Sequence, residues 1–156
     1  MLSIQIPGFG LLEIDHLVLD YNGTLAVDGV LITGVKKMLN MLSDRLDVYV
    51  VTADTFGKAA DGLKEVNCRL TVLDPGRQDQ AKLDFVNRLG ADRTACIGNG
   101  RNDALMLTAS ALGIAVILAE GASAVSLSAA DVVCTGIVSA LELLLNPLRL
   151  TATLRS

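Results

Sequence analysis

The chain has few histidine, cysteine and aromatic residues. Its 156 residues include no tryptophan, one histidine, three cysteines and three prolines, and aromatic residues make up 3%. The single His16 and the widely spaced Cys68, Cys96 and Cys134, with no Cys-x-x-Cys pair, do not have the spacing of a zinc site. We therefore expect reduced thiols and a cytoplasmic protein.

The chain also lacks long runs of one kind of residue. Its longest apolar run, residues 111–119, is too short to cross a bilayer, and we expect no signal peptide. The formal net charge is −4, and no run of basic residues is present. These features predict that neither a membrane nor a nucleic acid is a partner.

Aliphatic residues in a repeating order take the place of the missing types. Hydrophobic residues make up 51% of the chain, and short apolar runs alternate with helical patterns. This alternation predicts one α/β domain over residues 1–156, built on a doubly wound parallel sheet. Residues 3–6 and 11–14 flank a turn and predict a small N-terminal hairpin. Only 19% of the residues are charged, which makes a homo-oligomer plausible.

Polar residues follow several of the predicted strands directly. Asp20 ends the strand predicted over 16–20, Thr52 lies near the end of the strand predicted over 47–54, and the strand 94–98 leads into the loop "GNGRND". Lys82 lies in the first turns of the helix predicted over 78–90. Because the carboxyl ends of parallel strands meet at one edge of a sheet, we expect these residues to converge there. Together they supply a nucleophile, a hydroxyl group, a fixed cation and carboxylates, which suit a phosphoryl group.

Each of these residues also has an ordinary structural interpretation. Asp20 can cap a turn, Thr52 can be a strand residue or an N-cap, and Lys82 can be a solvated helix lysine. The loop "GNGRND" can be a tight turn, or the phosphate loop of a dinucleotide-binding Rossmann domain. That loop lacks the third glycine of the dinucleotide motif, which makes the Rossmann hypothesis the weakest one. The combination of residues favours a phosphoryl site over the separate interpretations.

Four motifs in order resemble those of the haloacid dehalogenase-like (HAD) superfamily of phosphotransferases. "DYNGTLA", which begins at Asp20, is similar to its Asp-x-x-Gly-Thr motif, and "VVTAD" around Thr52 is similar to the second. "QAKLDFVNRLG" resembles a helix led by a lysine, here Lys82, and "GNGRNDALML" resembles a Gly-Asp-Gly-x-Asn-Asp-Ala signature. Within the superfamily the sequence looks most like the phosphorylation domain of P-type ATPases. The resemblance implies a HAD-like Rossmannoid fold.

The resemblance also implies a role for each matching residue. Asp20 would be the nucleophile that becomes phosphorylated, and Thr52 and Lys82 would hold the phosphoryl oxygens. Mg²⁺ would be the cofactor, and Asn102 would steady its loop. The metal would be held by Asp20, Asp103 and the backbone carbonyl of Asn22, at a site that also includes Asn99, while Gly23 and Thr24 complete the first motif.

Two amides stand where the superfamily usually has acids. Phosphatases carry a second aspartate at the position of Asn22, which protonates the leaving group and later activates water. Asn99 stands where an acid usually lies beside the metal. We therefore expect a Mg²⁺-dependent phosphohydrolase or phosphotransferase with slow turnover on a phosphorylated substrate of unknown identity. The alternative is a regulatory protein that binds phosphate or holds a phosphoaspartate as a switch.

The spacing of the motifs limits the comparison with ion pumps. Only residues 21–51 separate Asp20 from Thr52, and no nucleotide-binding domain fits into that interval. The same interval has no room for a large cap domain, and residues 25–34 predict a short hairpin flap. The chain itself is therefore not expected to be an ion pump.

Overall fold

The structure is a computed structural model that describes residues 1–54 and 57–156. Its strands are β1 (Leu2–Ile6), β2 (Gly10–Ile14), β3 (His16–Leu19), β4 (Ala26–Val27), β5 (Val30–Leu31), β6 (Asp47–Thr52), β7 (Arg69–Val72), β8 (Thr94–Gly98), β9 (Leu112–Val116) and β10 (Val132–Cys134). Its α-helices are α1 (Val35–Ser43), α2 (Ala59–Gly62), α3 (Gln78–Leu89), α4 (Ala104–Ala109), α5 (Ala124–Ala129), α6 (Ile137–Leu145) and α7 (Pro147–Leu154).

A six-stranded parallel sheet forms the centre of the fold. Its strand order is β10-β9-β8-β3-β6-β7, and every neighbouring pair is parallel. The chain therefore begins this sheet in the middle, at β3, and builds outward in both directions. The predicted doubly wound α/β fold is confirmed. Because the order reverses between β3 and β8, the carboxyl ends of these two strands border the crevice where such folds bind ligands.

Two antiparallel hairpins accompany the sheet, as the sequence predicts. In the N-terminal hairpin, β1 pairs with β2 from Leu2 opposite Ile14 to Ile6 opposite Gly10. The second hairpin joins β4 to β5 and forms the flap. Its turn residues Asp28 and Gly29 have φ angles of 52° and 77°, the left-handed backbone of a type I′ turn. This flap is all that the chain inserts between β3 and α1, so no large cap domain lies there.

Apolar side chains cover both faces of the sheet. On one face, Leu17, Leu19 and Val50 pack with residues of α1, α6 and the N-terminal hairpin. On the other face, Val18, Cys96 and Ala115 pack with residues of α3 and α4. Alternate residues of β3 thus point to opposite cores, which explains why its sequence is continuously apolar.

The structure changes the bounds of several predicted elements. The pattern of residues 56–66 predicts a helix, but the described structure has only α2 there, and residues 55–56 lie outside the described part of the chain. The helix expected over 101–110 begins as a 3-10 turn, Arg101–Asp103, before α4. Pro147 ends α6 as predicted, but it also begins α7 as an N-terminal helix proline, and Leu150 of that helix is fully buried.

No single helix in the described part of the chain is long and apolar enough to cross a membrane. Helices α6 and α7 together have the necessary length and composition, but they meet at a bend of 103°.

Gly62 occupies a position in α2 that only glycine fits. A Cβ atom at this position would clash with the hydroxyl oxygen of Tyr21 and lie 3.2 Å from the ring carbon that carries it. Tyr21 is fully buried, and its hydroxyl group donates a hydrogen bond to the Gly29 carbonyl at 3.2 Å. The glycine that weakens the helical pattern of residues 56–66 is therefore explained by the side chain next to Asp20.

We predict that Gly62→Ala lowers the free energy of unfolding by about 1–3 kcal/mol, the usual cost of overpacking a core. Chemical denaturation measures the change. In a Tyr21→Phe background the same substitution should cost less, because the hydroxyl oxygen that would clash is gone. If Gly62→Ala instead stabilises the protein, as alanine does at an unhindered helical position, this packing account is wrong.

Candidate active site

Three charged side chains meet at the carboxyl edge of the sheet. The Lys82 Nζ donates hydrogen bonds to Asp20 Oδ1 at 2.7 Å and to Asp103 Oδ1 at 2.6 Å. Lys82 and Asp103 are 0% exposed, and Asp20 is 7% exposed. Asp20 directly follows β3, and its amide bonds the Ile97 carbonyl of β8 at 3.0 Å. The sequence thus places a nucleophile candidate at the switch point and a lysine beside it.

The loop after β8 fixes the second carboxylate. Asp103 Oδ2 accepts hydrogen bonds from the amides of Asn99 at 3.0 Å and Gly100 at 2.8 Å. A Cβ atom on Gly98 would lie 2.5 Å from the Asp103 Cγ, so glycine is required where the strand ends. Both oxygens of Asp103 are therefore engaged, one by the lysine and one by the loop backbone.

Asn99 connects three segments around Asp20. Its Oδ1 accepts a hydrogen bond from Thr24 Oγ1 at 3.2 Å, and its Nδ2 donates to the Gly121 carbonyl at 3.0 Å. Thr24 Oγ1 also lies 3.4 Å from Asp20 Oδ2. A Cβ atom on Gly23 would lie 2.8 Å from Asn99 Oδ1, and Gly23 has a φ of 77°. Gly23 therefore allows the loop that follows β3 to come close to Asn99.

Thr52 and Asn102 lie at the same edge with different contacts. Thr52 is 1% exposed, and its hydroxyl oxygen accepts a hydrogen bond from the Asp54 amide at 3.0 Å. No acceptor within the described residues takes the hydroxyl hydrogen of Thr52, which leaves it able to donate. Asn102 Nδ2 donates to Gln78 Oε1 at 3.0 Å and so ties the loop to the first turn of α3, one turn before Lys82.

Asn22 carries a polar atom without a partner. Its Oδ1 is buried and makes no hydrogen bond within the described part of the chain, while its backbone forms a bridge to Ala26. Buried polar atoms are nearly always paired in native proteins, and exceptions occur at functional sites. Of the two amides that replace expected acids, Asn99 is thus fully used by the fold and Asn22 is not.

The three buried charges do not balance. One ammonium group faces two carboxylates, which leaves the cluster with one excess negative charge. Burial and the Asp103 carboxylate raise the pKa of Asp20 to about 7, against the opposing effect of Lys82. Burial alone would lower the pKa of Lys82, but the carboxylates of Asp103 and Asp20 raise it above its ordinary value. The cluster therefore favours uptake of a proton or another cation.

The donor set fits Mg²⁺ better than a transition metal. No group of three or more histidine, cysteine, aspartate and glutamate side chains suited to a metal occurs within residues 1–54 and 57–156. Mg²⁺ needs only one or two carboxylates, with water and substrate oxygens completing its shell. Asp20 and the Asn99 amide oxygen supply protein oxygens where the excess negative charge lies, and Asp103 Oδ1, which accepts one hydrogen bond from Lys82, would supply a third.

Several residues of the site are absent from the sequence prediction. Gly98 lies close to Asp103, the Gly121 carbonyl accepts a hydrogen bond from Asn99, and the buried Ser126 hydroxyl donates to the Gly100 carbonyl. Tyr21 ties the nucleophile loop to the flap, and Glu120 Oε1 accepts a hydrogen bond from the Asp28 amide at the flap tip, at 2.9 Å. Tyr21 and Gly98 had signals in the sequence, Tyr21 as a large aromatic residue inside the first motif and Gly98 as the first glycine of "GNGRND".

Comparison by sequence finds relatives among archaeal proteins, whereas no known family profile matches the chain. The uncharacterized protein MJ0073 of Methanocaldococcus jannaschii is 42% identical over 84 residues, which cover 51% of this chain and 90% of that protein. The uncharacterized protein MJ0072 of the same organism is 46% identical over 39 residues, or 25% of this chain and 89% of that protein.

Comparison by structure finds hydrolases of the HAD superfamily. The 3-deoxy-D-manno-octulosonate 8-phosphate phosphatase of Haemophilus influenzae has a TM-score of 0.72 and 17% identity, covering 92% of this chain and 94% of that chain. The Moraxella catarrhalis phosphatase of the same name has a TM-score of 0.70 and 17% identity, covering 85% and 86%. A phosphoserine phosphatase has a TM-score of 0.66 and 13% identity, covering 83% and 98%.

The TM-scores show that the central parallel sheet and its helices are arranged as in these proteins. The resemblance to the HAD superfamily is confirmed at the level of the fold, and the closer resemblance to P-type ATPases stays a prediction. The chain belongs to one protein family with MJ0073 and MJ0072, and its fold is that of the HAD superfamily.

Proposed function

We propose that the chain is a Mg²⁺-dependent phosphohydrolase or phosphotransferase that forms an aspartyl phosphate on Asp20 and turns over slowly. The observation that carries the proposal is the buried contact of Lys82 with both Asp20 and Asp103. A lysine held between two carboxylates at the switch point is costly to bury and contributes little to stability. Such an arrangement is typical of sites that bind and transfer charged groups.

Solved proteins of the same fold support the proposal. The Moraxella catarrhalis phosphatase was crystallised with magnesium, phosphate and a sugar acid, and the Haemophilus influenzae protein with cobalt. By analogy, the present chain acts on a phosphorylated substrate whose identity its sequence leaves open. A homo-oligomer, a cytoplasmic location and the lack of nucleic-acid and membrane partners stay predictions.

The residues of the chain divide the chemistry among them. Asp20 Oδ2 is free of the lysine and attacks phosphorus, while the Lys82 ammonium and the Thr52 hydroxyl hold the phosphoryl oxygens. Bound Mg²⁺ would neutralise negative charge between the carboxylate and the phosphoryl group. Asp103 keeps Lys82 charged and in place, and the Asn102 contact with Gln78 holds the loop that carries Asp103.

Asn22 limits the reaction at both of its steps. An amide cannot give a proton to a departing alkoxide, so acyl and aryl phosphates, which leave as stable anions, are the better donors. It also cannot take a proton from the water that hydrolyses the aspartyl phosphate. Asn22 and Asn99 therefore favour the second candidate function as well, a protein that holds phosphate or phosphoaspartate as a regulatory state.

The phosphoenzyme is the direct test of the proposal. Acetyl phosphate with Mg²⁺ should produce a stable adduct on Asp20, detected by intact mass and peptide mapping. Asn22→Asp should shorten the lifetime of this adduct by roughly 10²-fold or more, because a positioned base typically contributes 10²–10⁴ in rate. Asn87→Asp makes the same chemical change at an exposed position of α3 outside the site, and it should leave the lifetime unchanged. Absence of any adduct would favour the non-catalytic alternative.

Deamidation of Asn22 would imitate the Asn22→Asp variant, so intact mass is checked before the experiment. The chain has two Asn-Gly pairs in the site, Asn22-Gly23 and Asn99-Gly100. Deamidation needs the glycine amide as a nucleophile, and a hydrogen bond holds each of these amides away from that reaction. The Gly23 amide donates to the Ala26 carbonyl at 2.7 Å, and the Gly100 amide donates to Asp103 Oδ2 at 2.8 Å. We therefore expect fresh protein to contain the amides.

Asn99→Asp should tighten Mg²⁺ binding by about tenfold, since it adds a carboxylate to the donor set. The same change removes the hydrogen bond to the Gly121 carbonyl and adds negative charge, so it should lower the Tm of the metal-free protein. Excess Mg²⁺ should restore the Tm. Titration calorimetry and thermal unfolding measure the two effects, and unchanged Mg²⁺ affinity would contradict the assignment of Asn99 to the metal site.

Mg²⁺ binding should weaken as the pH falls below about 7, the raised pKa of Asp20. Below this pH the carboxyl group carries a proton that must leave before a cation can bind, and the loss approaches about tenfold per pH unit. Above pH 7 the affinity should level off. Calorimetry at several pH values measures this dependence, and a profile that is flat between pH 5 and 8 would contradict the raised pKa of Asp20.

A further inference from the structure

A groove with two arginines opens beside the site described above. It has a volume of about 410 Å³ and is lined by Arg77, Gln78, Asp79, Arg101, Leu105 and Val125, among others. We call it the arginine groove. Its lining comes from the segments that follow β7, β8 and β9, so it opens at the same carboxyl edge of the sheet as Asp20.

The arginine groove is joined to the charged cluster through two elements. On α3, Gln78 precedes Lys82 by one helical turn, a rise of about 6 Å. On the loop after β8, Arg101 precedes Asp103 by two residues. The hydrogen bond between Asn102 and Gln78 links these two elements at the groove wall. A small molecule whose phosphoryl group lies at Lys82 therefore has the groove within reach.

The charges of the groove are cationic and incompletely paired. Arg101 is exposed and forms no salt bridge within the described residues. Arg77 is 81% exposed and lies 3.9 Å from the Asp79 carboxylate, a contact too long and too solvated to neutralise it firmly. Leu105 and Val125 add apolar surface that is 37% and 52% exposed. The groove therefore offers two guanidinium groups against one carboxylate, with apolar surface beside them. These features suit a ligand with an anionic group attached to a small organic group.

We propose that the arginine groove binds a second anionic group, a carboxylate or phosphate, of the small molecule whose phosphoryl group reaches Asp20. This inference rests on the proposed function for the identity of the first group. Arg101 is the main specificity residue, since guanidinium groups bind carboxylates and phosphates in a bidentate manner. Asp79 weakens the binding because it faces the same groove with negative charge.

The test compares phenyl phosphate with 4-carboxyphenyl phosphate, which differ only in the second anionic group. Binding is measured by calorimetry on Asp20→Asn, which cannot form the phosphoenzyme, so the result does not depend on turnover. The carboxylated compound should bind about tenfold more tightly, the effect of one charge-assisted hydrogen-bonded pair. In the unaltered protein the same preference should be seen in KM and not in kcat.

Substitutions in the groove should move this preference in opposite directions. Arg101→Gln should remove most of it, and Asp79→Asn should increase it. Arg88→Gln, which changes an exposed arginine of α3 outside the groove, should leave it unchanged. Phenyl phosphate affinity should stay constant in all three variants, which serves as the folding control.

The outcomes separate this proposal from the proposed function. Equal affinity for the two compounds, or a preference that survives in Arg77→Gln/Arg101→Gln, would overturn the arginine groove as a substrate site. Preferential binding without any phosphoenzyme would keep the groove as an anion site and overturn the proposed chemistry on Asp20.

Discussion

The burial of one ammonium group between two carboxylates is the interaction on which the site depends. Lys82 reaches Asp20 and Asp103 at 2.7 and 2.6 Å, and the lysine and Asp103 are wholly buried. Removing such charges from water costs several kcal/mol per ion, and the attraction between them returns it only with good geometry. The sheet order, the bare Gly98 and the backbone amides that hold Asp103 all serve to maintain that geometry.

The excess negative charge of the cluster gives it an affinity for cations. One negative charge is left over, and a proton on Asp20 near neutral pH or a divalent cation can compensate it. On the proposed function, bound Mg²⁺ would give the cluster a net positive charge, which would attract a phosphate dianion. Neither the lysine nor the carboxylates improve the stability that apolar residues would give in their place. Their placement at the switch point is explained by function.

Much of this arrangement can be predicted from the sequence, because it depends on short patterns. Apolar runs followed by polar residues predict the strands, and Asp20 and the "GNGRND" loop mark their carboxyl ends. The close approach of Gly62 to Tyr21 could not be predicted, since it depends on how separate segments pack. The contact of Glu120 with the flap tip joins residues 92 positions apart and has no local signal. Helix α7 could not be predicted either. The sequence marks Pro147 as the end of α6, but the same proline also begins α7.

The charges around Asn22 and Asn99 explain why amides stand at these two positions. With an acid at position 99 the cluster would hold three carboxylates and one ammonium group, and the metal-free protein would carry two excess negative charges there. Asn99 removes one of these charges, and its NH₂ group holds the Gly121 carbonyl, which a carboxylate could not do. The amide therefore gives the site internal order in the absence of a cation. On the proposed function, Asn22 would likewise leave the aspartyl phosphate without a base. The two amides together would then give a site that is ordered before the metal binds and that keeps its phosphoryl group, in place of one built for rapid hydrolysis.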